Sequence, residues 1–372
     1  MRICIIGNAG SPFGYEFAKA FMKRGHEAEL FSVADVPPIM DGVRVRGLGA
    51  KDFRPGKTRT RLPYLKAIRP IRRAVREYDP DIVMAVYLSS GALFGCLSGH
   101  RRVVVTALGS DVFTKVGSRI WRGVLRWVTR RAVLVHTVSV PLAETLIERI
   151  DVPEEKIVVA PVGIDTNQLA YVEPSRRPGE GRIISTRGHN PVYDHPTLVE
   201  AMLALKARGV PCHLTFASAR DVELTEQVVR DRGAGDVVSF LGGYGFDELP
   251  SLLAGQDVYV SSSLSDGTSN SLLEALSTGM LPVVSDIPAN RPWVEHGRNG
   301  LLFPPGDADA LADRLEEALA NADLRAAAAP INRRIAEERG DSYRLAGGLL
   351  AAFERCLAAD GSPARRQADV DG

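Results

Sequence analysis

The chain has 372 residues, 45% of them hydrophobic and 24% charged, which is the make-up of a soluble globular protein and more than one ordinary core needs. Its net charge of +1 excludes a global bias towards nucleic acid or a membrane, so any electrostatic recognition has to be local. Cys4, Cys96, Cys212 and Cys356 lie far apart with no CxxC pair, which reads as reduced core thiols of a cytosolic protein and excludes zinc-ligand spacing.

Met1 and Arg2 lead directly into Ile3-Cys4-Ile5-Ile6, which reads as a first buried strand with no signal peptide ahead of it. Further apolar runs predict strands at 29–33, 81–86, 103–106, 133–136 and 157–160, and a second set at 182–186, 213–217, 237–241, 257–260 and 281–284. Helical patterns separate most neighbours, at 15–24, 62–77, 197–208, 224–231 and 308–320. The best transmembrane candidate, 82–97, is short and interrupted by Ser89, Ser90 and Gly91, so it reads as strand then helix. This alternation predicts an α/β protein with parallel sheets covered on both faces.

The two sets are separated by 165–181, which holds Pro174, Ser175, Pro178, Gly179 and Gly181 and little periodicity. The expected organisation is two doubly wound, Rossmann-like domains, 1–168 and 182–340, joined by a linker at 169–181. They would face a cleft at the carboxyl ends of their strands. A final helix is expected over 341–359, followed by a polar, disordered tail at 360–372.

Taken in order, the first loop with chemistry is Gly7-Asn8-Ala9-Gly10-Ser11-Pro12-Phe13-Gly14, between the first strand and the first helix. Gly7, Gly10 and Gly14 would let backbone approach a phosphate or sugar. They serve a tight turn equally well. The spacing is not GxGxxG, and no acidic residue closes the second strand, which disfavours a dinucleotide cofactor. Gly109-Ser110-Asp111 follows another strand; Asp111 could face the cleft, or Ser110 or Asp111 could simply cap the next segment. Arg187, after the first strand of the second set, is a fixed positive charge suited to holding a diphosphate bidentately, against the plainer reading of a surface ion pair.

The most informative stretch is Ser265-Asp266-Gly267-Thr268-Ser269-Asn270-Ser271-Leu272-Leu273-Glu274-Ala275-Leu276. A polar loop runs into a helix N-terminus between two buried strands, where free N–H groups and the helix dipole favour an anion. Two carboxylates beside a phosphate site call for ligand hydroxyls, which suggests a nucleotide sugar. Ser271-x-x-Glu274 is also a capping box, and Asp266-Gly267 an ordinary turn. Two basic stretches complete the inventory. One gathers Arg54, Lys57, Arg59, Arg61, Lys66, Arg69, Arg72, Arg73 and Arg76; the other gathers Arg119, Trp121, Arg122, Arg126, Trp127, Arg130 and Arg131. Either a solvated helix face or a peripheral contact with an anionic membrane accounts for them.

From Met1 to about Ala359 the chain resembles the retaining GT-B glycosyltransferases of glycosyltransferase family 4. The likeness rests on 266–284, on Asn299 to Asp307, on Glu155-Lys156-Ile157 through Pro161-Val162-Gly163-Ile164-Asp165, and on Gly109-Ser110-Asp111. Asp266 and Glu274 have the spacing of the family's two-glutamate signature. The resemblance implies that Glu274 hydrogen-bonds the nucleotide ribose and Asp266 contacts the donor hexose. It gives the diphosphate to Arg187 and to the N–H groups of Gly267, Thr268, Ser269, Asn270 and Ser271. Gly243 and Tyr244 would border the base, and Gly7, Gly10 and Ser11 would approach donor phosphates and acceptor. With Asp111 it places the catalytic group at Arg187, Asp266 and Asp111, and it returns the final helix to the first domain.

Three positions depart from the pattern: Asp266 stands where glutamate is usual, Asn190-Pro191-Val192-Tyr193-Asp194 replaces a stretch that often holds a lysine, and Leu108 replaces a histidine. The expected function is transfer of a hexosyl-type sugar from a UDP- or GDP-linked donor to an acceptor hydroxyl, with retention, no cofactor, no metal and no nucleic acid. Cell-envelope glycans, glycolipids or secondary metabolites are the acceptor classes considered. A non-catalytic nucleotide-sugar-binding subunit and a sugar-nucleotide epimerase are the alternatives.

Overall fold

The computed structural model describes residues 1–9, 11–32, 39–40, 42–48, 62–172, 181–218, 221–245 and 247–359, with side chains omitted for 39–40 and 62–66. Gly10, part of the first basic stretch, most of the expected linker and the expected tail lie outside them. The chain divides into two compact units: Met1–Val162 together with the chain from Ser342, and Gly163–Asp341.

The first unit is built on β1 (Arg2–Gly7), α1 (Pro12–Lys23), β2 (Glu27–Ser32), β3 (Ile39–Met40), β4 (Val43–Gly47), α2 (Leu62–Tyr78), β5 (Ile82–Val86), α3 (Ala92–Leu97), β6 (Val103–Ala107), α4 (Ser110–Phe113), α5 (Arg119–Arg131), β7 (Leu134–Thr137), α6 (Val140–Ile150) and β8 (Ile157–Val159). Its sheet runs β3-β4-β2-β1-β5-β6-β7-β8 and is parallel except for the β3–β4 pair. Ile3 to Ile6 and Ile82 to Ala85 are fully buried, as strands covered on both faces require.

The second unit contains β9 (Arg182–Ser185), α7 (His195–Ala207), β10 (His213–Phe216), α8 (Glu223–Arg232), β11 (Val238–Phe240), α9 (Leu249–Ala254), β12 (Val258–Ser261), α10 (Asn270–Thr278), β13 (Leu281–Ser285), β14 (Leu301–Phe303), α11 (Ala308–Ala320) and α12 (Ala322–Ile335). The order β11-β10-β9-β12-β13-β14 is parallel throughout and reverses between β9 and β12. The loops leaving those two strands therefore flank the switch point, where open α/β sheets bind ligands.

The last helix, α13 (Ser342–Ala359), belongs to the first unit and packs against α1, with Phe353 edge-on to Phe21 at 5.8 Å. Arg24 of the first unit donates from Nε to the Tyr343 carbonyl at 2.6 Å and stacks over the Tyr343 ring.

The units part at Val162/Gly163, ahead of the 169–181 linker expected from composition. Burial explains the shift. Leu169 is fully buried, Ile164 nearly so, and Arg333 donates to the carbonyls of Thr166 and Leu169, so this segment is structural in the second unit. Ile164 also bridges to Asp341, whose carboxylate accepts from the Thr166 hydroxyl at 2.7 Å.

Candidate functional site

The sequence-predicted residues of the second unit converge at the β9/β12 switch point. Arg187 leaves the end of β9 and is 8% exposed. Its Nη2 donates to Asp266 Oδ2 at 2.6 Å, and its Nη1 donates to the hydroxyls of Ser269 at 2.8 Å and Ser271 at 3.2 Å. Asp266 Oδ1 accepts from the Gly267 N–H at 2.8 Å. Tyr259, fully buried on β12, donates to Ser271 Oγ at 3.0 Å and props that hydroxyl towards the guanidinium. Burial works against the charge on Arg187. Asp266, helped by Tyr193, Tyr259 and Glu274, outweighs it and leaves the group more basic than an ordinary arginine.

The local sequence explains the geometry. Ser269 is the N-cap of α10: its backbone is extended and its hydroxyl accepts from Leu272 N–H at 3.2 Å. The capping box expected from Ser271 and Glu274 does not form, because Ser271 already lies inside the helix, and its hydroxyl is turned to Arg187 and Tyr259. Glu274 sits one turn further along α10, half-buried beside Tyr244, whose phenol is pushed up first by burial and then by the Glu274 charge. Gly243 is exposed next to Tyr244. Gly267 is buried, Thr268 half-buried, and Asn270 donates from Nδ2 to the Gly163 carbonyl at 3.3 Å. Buried polar atoms here without a hydrogen-bond partner among the described residues include Ser185 Oγ, Arg187 Nε and Asn270 Oδ1. Native interiors tolerate few such atoms, and a cluster of them marks a place built for something besides self-contact.

Three features were missed in the sequence. The Tyr193 ring covers the Arg187 guanidinium at 4.0 Å, in the stretch where a lysine was noted as absent. Ser262 Oγ donates to the carbonyls of Tyr193 and Asp194, tying that loop to the one carrying Asp266. Behind Arg187, Nδ1 of His189 and Nδ1 of His195 both meet Thr225 Oγ1, at 2.8 and 3.0 Å. Burial keeps the two imidazoles below the usual histidine range, His195 at about 3. The signal was the paired histidines bracketing the loop.

In the first unit, Gly7, Ser11 and the turn after β5 lie at the carboxyl ends of neighbouring strands. Ser11 Oγ lies 3.2 Å from Tyr87 Oη, and Tyr87 carries a positive φ of 71° at the head of a π-helical turn over Tyr87–Gly91. Gly91 is required there: a Cβ would fall 2.0 Å from the Val86 carbonyl oxygen. Asp111, expected among the catalytic group, is held by backbone donors. It is 5% exposed, and its carboxylate accepts from the backbone N–H groups of Leu88 at 2.5 Å, Leu108 at 3.0 Å and Gly109 at 3.0 Å. Burial raises its carboxyl above the usual range even against those three donors.

The model of the "Glycosyltransferase Family 4" family matches residues 13–168, and that of "Glycosyl transferases group 1" matches residues 183–321. The chain belongs to glycosyltransferase family 4.

Among its relatives, the GDP-mannose-dependent alpha-(1-6)-phosphatidylinositol monomannoside mannosyltransferase of Mycobacterium tuberculosis is 25% identical over 279 residues, covering 68% of this chain and 70% of that one. The GtfA subunit of the UDP-N-acetylglucosamine–peptide N-acetylglucosaminyltransferase of Streptococcus pneumoniae is 27% identical over 201 residues, covering 53% and 38%. The matches span only 31% to 42% of the length of several curated relatives. The fold is GT-B: sucrose-phosphate synthase from Thermosynechococcus elongatus superposes with a TM-score of 0.80 at 18% identity, covering 96% of this chain and 100% of that one. HepE of Anabaena, solved with UDP-glucose, gives 0.80 at 18% identity, covering 95% and 100%. Among the described residues no helix is long and apolar enough to cross a membrane.

Proposed function

We propose that this family 4 chain transfers a hexosyl-type sugar from a nucleotide-diphosphate sugar to an acceptor hydroxyl, with retention of anomeric configuration. The observation that supports this reading best is the Arg187 cluster at the β9/β12 switch point, a buried cation beside a helix N-terminus with unpaired polar atoms around it. Arg187 and the N–H groups of 267–271 would stabilise the charge on the departing diphosphate. Glu274 would take the ribose hydroxyls, with Tyr244 beside the base. The leaving phosphate would accept the proton of the attacking acceptor hydroxyl, so no protein nucleophile is invoked, and neither a metal nor a cofactor is needed.

A UDP- or GDP-linked donor is favoured by the company the chain keeps: HepE was solved with UDP-glucose and the mycobacterial relative is named for GDP-mannose. The test is a panel of UDP, GDP and ADP sugars, read as thermal stabilisation and as nucleoside diphosphate release. Stabilisation by none of them would sink the proposal. A second reading, a nucleotide-sugar-binding subunit without turnover, is favoured by the pairing of Asp266 with Arg187 and by the relative named as a subunit. It predicts stabilisation by donor but no release with any acceptor.

The acceptor side would include α5, a strongly amphipathic helix on which Ile120 is 70% and Trp127 38% exposed among Arg119, Arg122, Arg126 and Arg130. That combination suits an anionic membrane surface carrying the acceptor. Sedimentation with anionic but not neutral vesicles is the expected result.

A further inference from the structure

Asp266 departs from the family's glutamate, and both of its carboxylate oxygens are spent inside the site, Oδ2 on Arg187 Nη2 at 2.6 Å and Oδ1 on Gly267 N–H at 2.8 Å. Arg187 is partly engaged as well. Its Nη1 serves Ser269 and Ser271, Tyr193 covers one face, and Nε is buried without a partner. While Asp266 stays in place, three of the five N–H groups of Arg187 are engaged and a negative charge already sits on the Nη2 edge that a diphosphate would use. Among the described residues, Asp266 is the carboxylate that hydrogen-bonds the guanidinium. Its side chain is 17% exposed and that of Arg187 only 9%. A diphosphate added to the intact pair would set two anions on one cation where water screens them poorly, the arrangement in which like charges cost most.

We propose that Asp266 is a resident anion that occupies the phosphate position of Arg187, and that the donor's diphosphate binds by displacing it. This rests on the nucleotide-sugar reading given above. It makes Asp266 a positioning residue, which keeps Arg187 in place between turnovers and lowers the affinity for any diphosphate. The hexose-reading role implied by the resemblance is then not its main one. After transfer, the carboxylate returns to Arg187 and helps expel the nucleoside diphosphate.

The test compares the full-length protein with Asp266→Asn, which keeps the size and the acceptor for Gly267 N–H but removes the charge. Asp266→Ser, which also removes the charge, guards against a fault peculiar to the amide. Calorimetric titrations use UDP, GDP, inorganic pyrophosphate and the free nucleosides uridine and guanosine. With the competitor gone, both variants should bind nucleoside diphosphate and pyrophosphate about 5- to 10-fold tighter, and the nucleosides within about twofold of the parent. A residue with a merely structural role would weaken all of these ligands together. Equal or weaker diphosphate binding by both variants would overturn the assignment of Asp266 while leaving the nucleotide reading intact. If neither the parent nor the variants bind any nucleotide or nucleoside, the nucleotide reading fails and this proposal fails with it.

Discussion

At the scale of single residues, charge and burial separate three acids that look alike in the sequence. Glu274 is half-buried beside Tyr244, Asp266 is paired with Arg187, and Asp111 is sealed among backbone donors. Glu274→Ala should weaken nucleoside diphosphate binding about 10- to 100-fold, the worth of hydrogen bonds to a charged group, measured by calorimetry. Arg187→Ala should lower kcat by about 10²- to 10³-fold in a donor-release assay. Asp111→Asn should instead cost about 1–3 kcal/mol of stability in a urea melt, because one amide edge turns a donor towards N–H groups that need acceptors. The sequence marked all three as acids at strand or helix ends. It could not show that the Asp111 carboxylate takes backbone donors from two loops, because Leu88 becomes its partner only through the sheet. The place of Arg187 at a strand end was legible because that strand is a plain apolar run. Tyr193 was not, because an aromatic in a loop has many uses.

At the scale of elements, strand runs such as Ile3–Ile6 were plain because continuous apolar stretches suit parallel strands. β14, with three residues, and the antiparallel β3 were too short to announce themselves. The π-helical turn after β5 read only as small residues breaking an apolar run; its reason is the close approach of Gly91 to Val86. His136 shows how an element junction sets a pH limit. Its Nε2 lies 2.8 Å from the Ala160 carbonyl, tying β7 to the chain just past β8, and burial holds its pKa down to about 4. In the unfolded chain a histidine titrates near pH 6.5, so that state takes up its proton first as the pH falls. Stability from this group is therefore complete above that pH and is lost progressively towards pH 4, by on the order of 3 kcal/mol. The urea midpoint should fall over this range in the parent and fall less in His136→Gln.

At the scale of the whole molecule, the alternation of strands and helices made the two-unit α/β organisation legible, and the run of motifs from Gly109 to Asp307 made the family legible. The boundary was not, because Pro and Gly content is a local cue while the burial of Leu169 is a tertiary one. The proposed chemistry places all charge stabilisation on Arg187 and backbone N–H groups. Donor turnover should accordingly survive exhaustive chelation with EDTA at an unchanged rate, and a rate restored only by added divalent metal would contradict it.

The placement of α13 in the first unit also governs the order in which the protein is made. The second unit is one unbroken stretch, Gly163–Asp341, whereas the first needs residues from both sides of it. As the chain leaves the ribosome, the later-translated unit is therefore complete while the earlier one still lacks the helix that covers Phe21 on α1. Nascent chains stalled just after Asp341 has emerged should resist protease across the second unit and remain cleavable near α1. That face should become resistant only when α13 has emerged, so the usual N-terminal-first order of domain maturation is reversed.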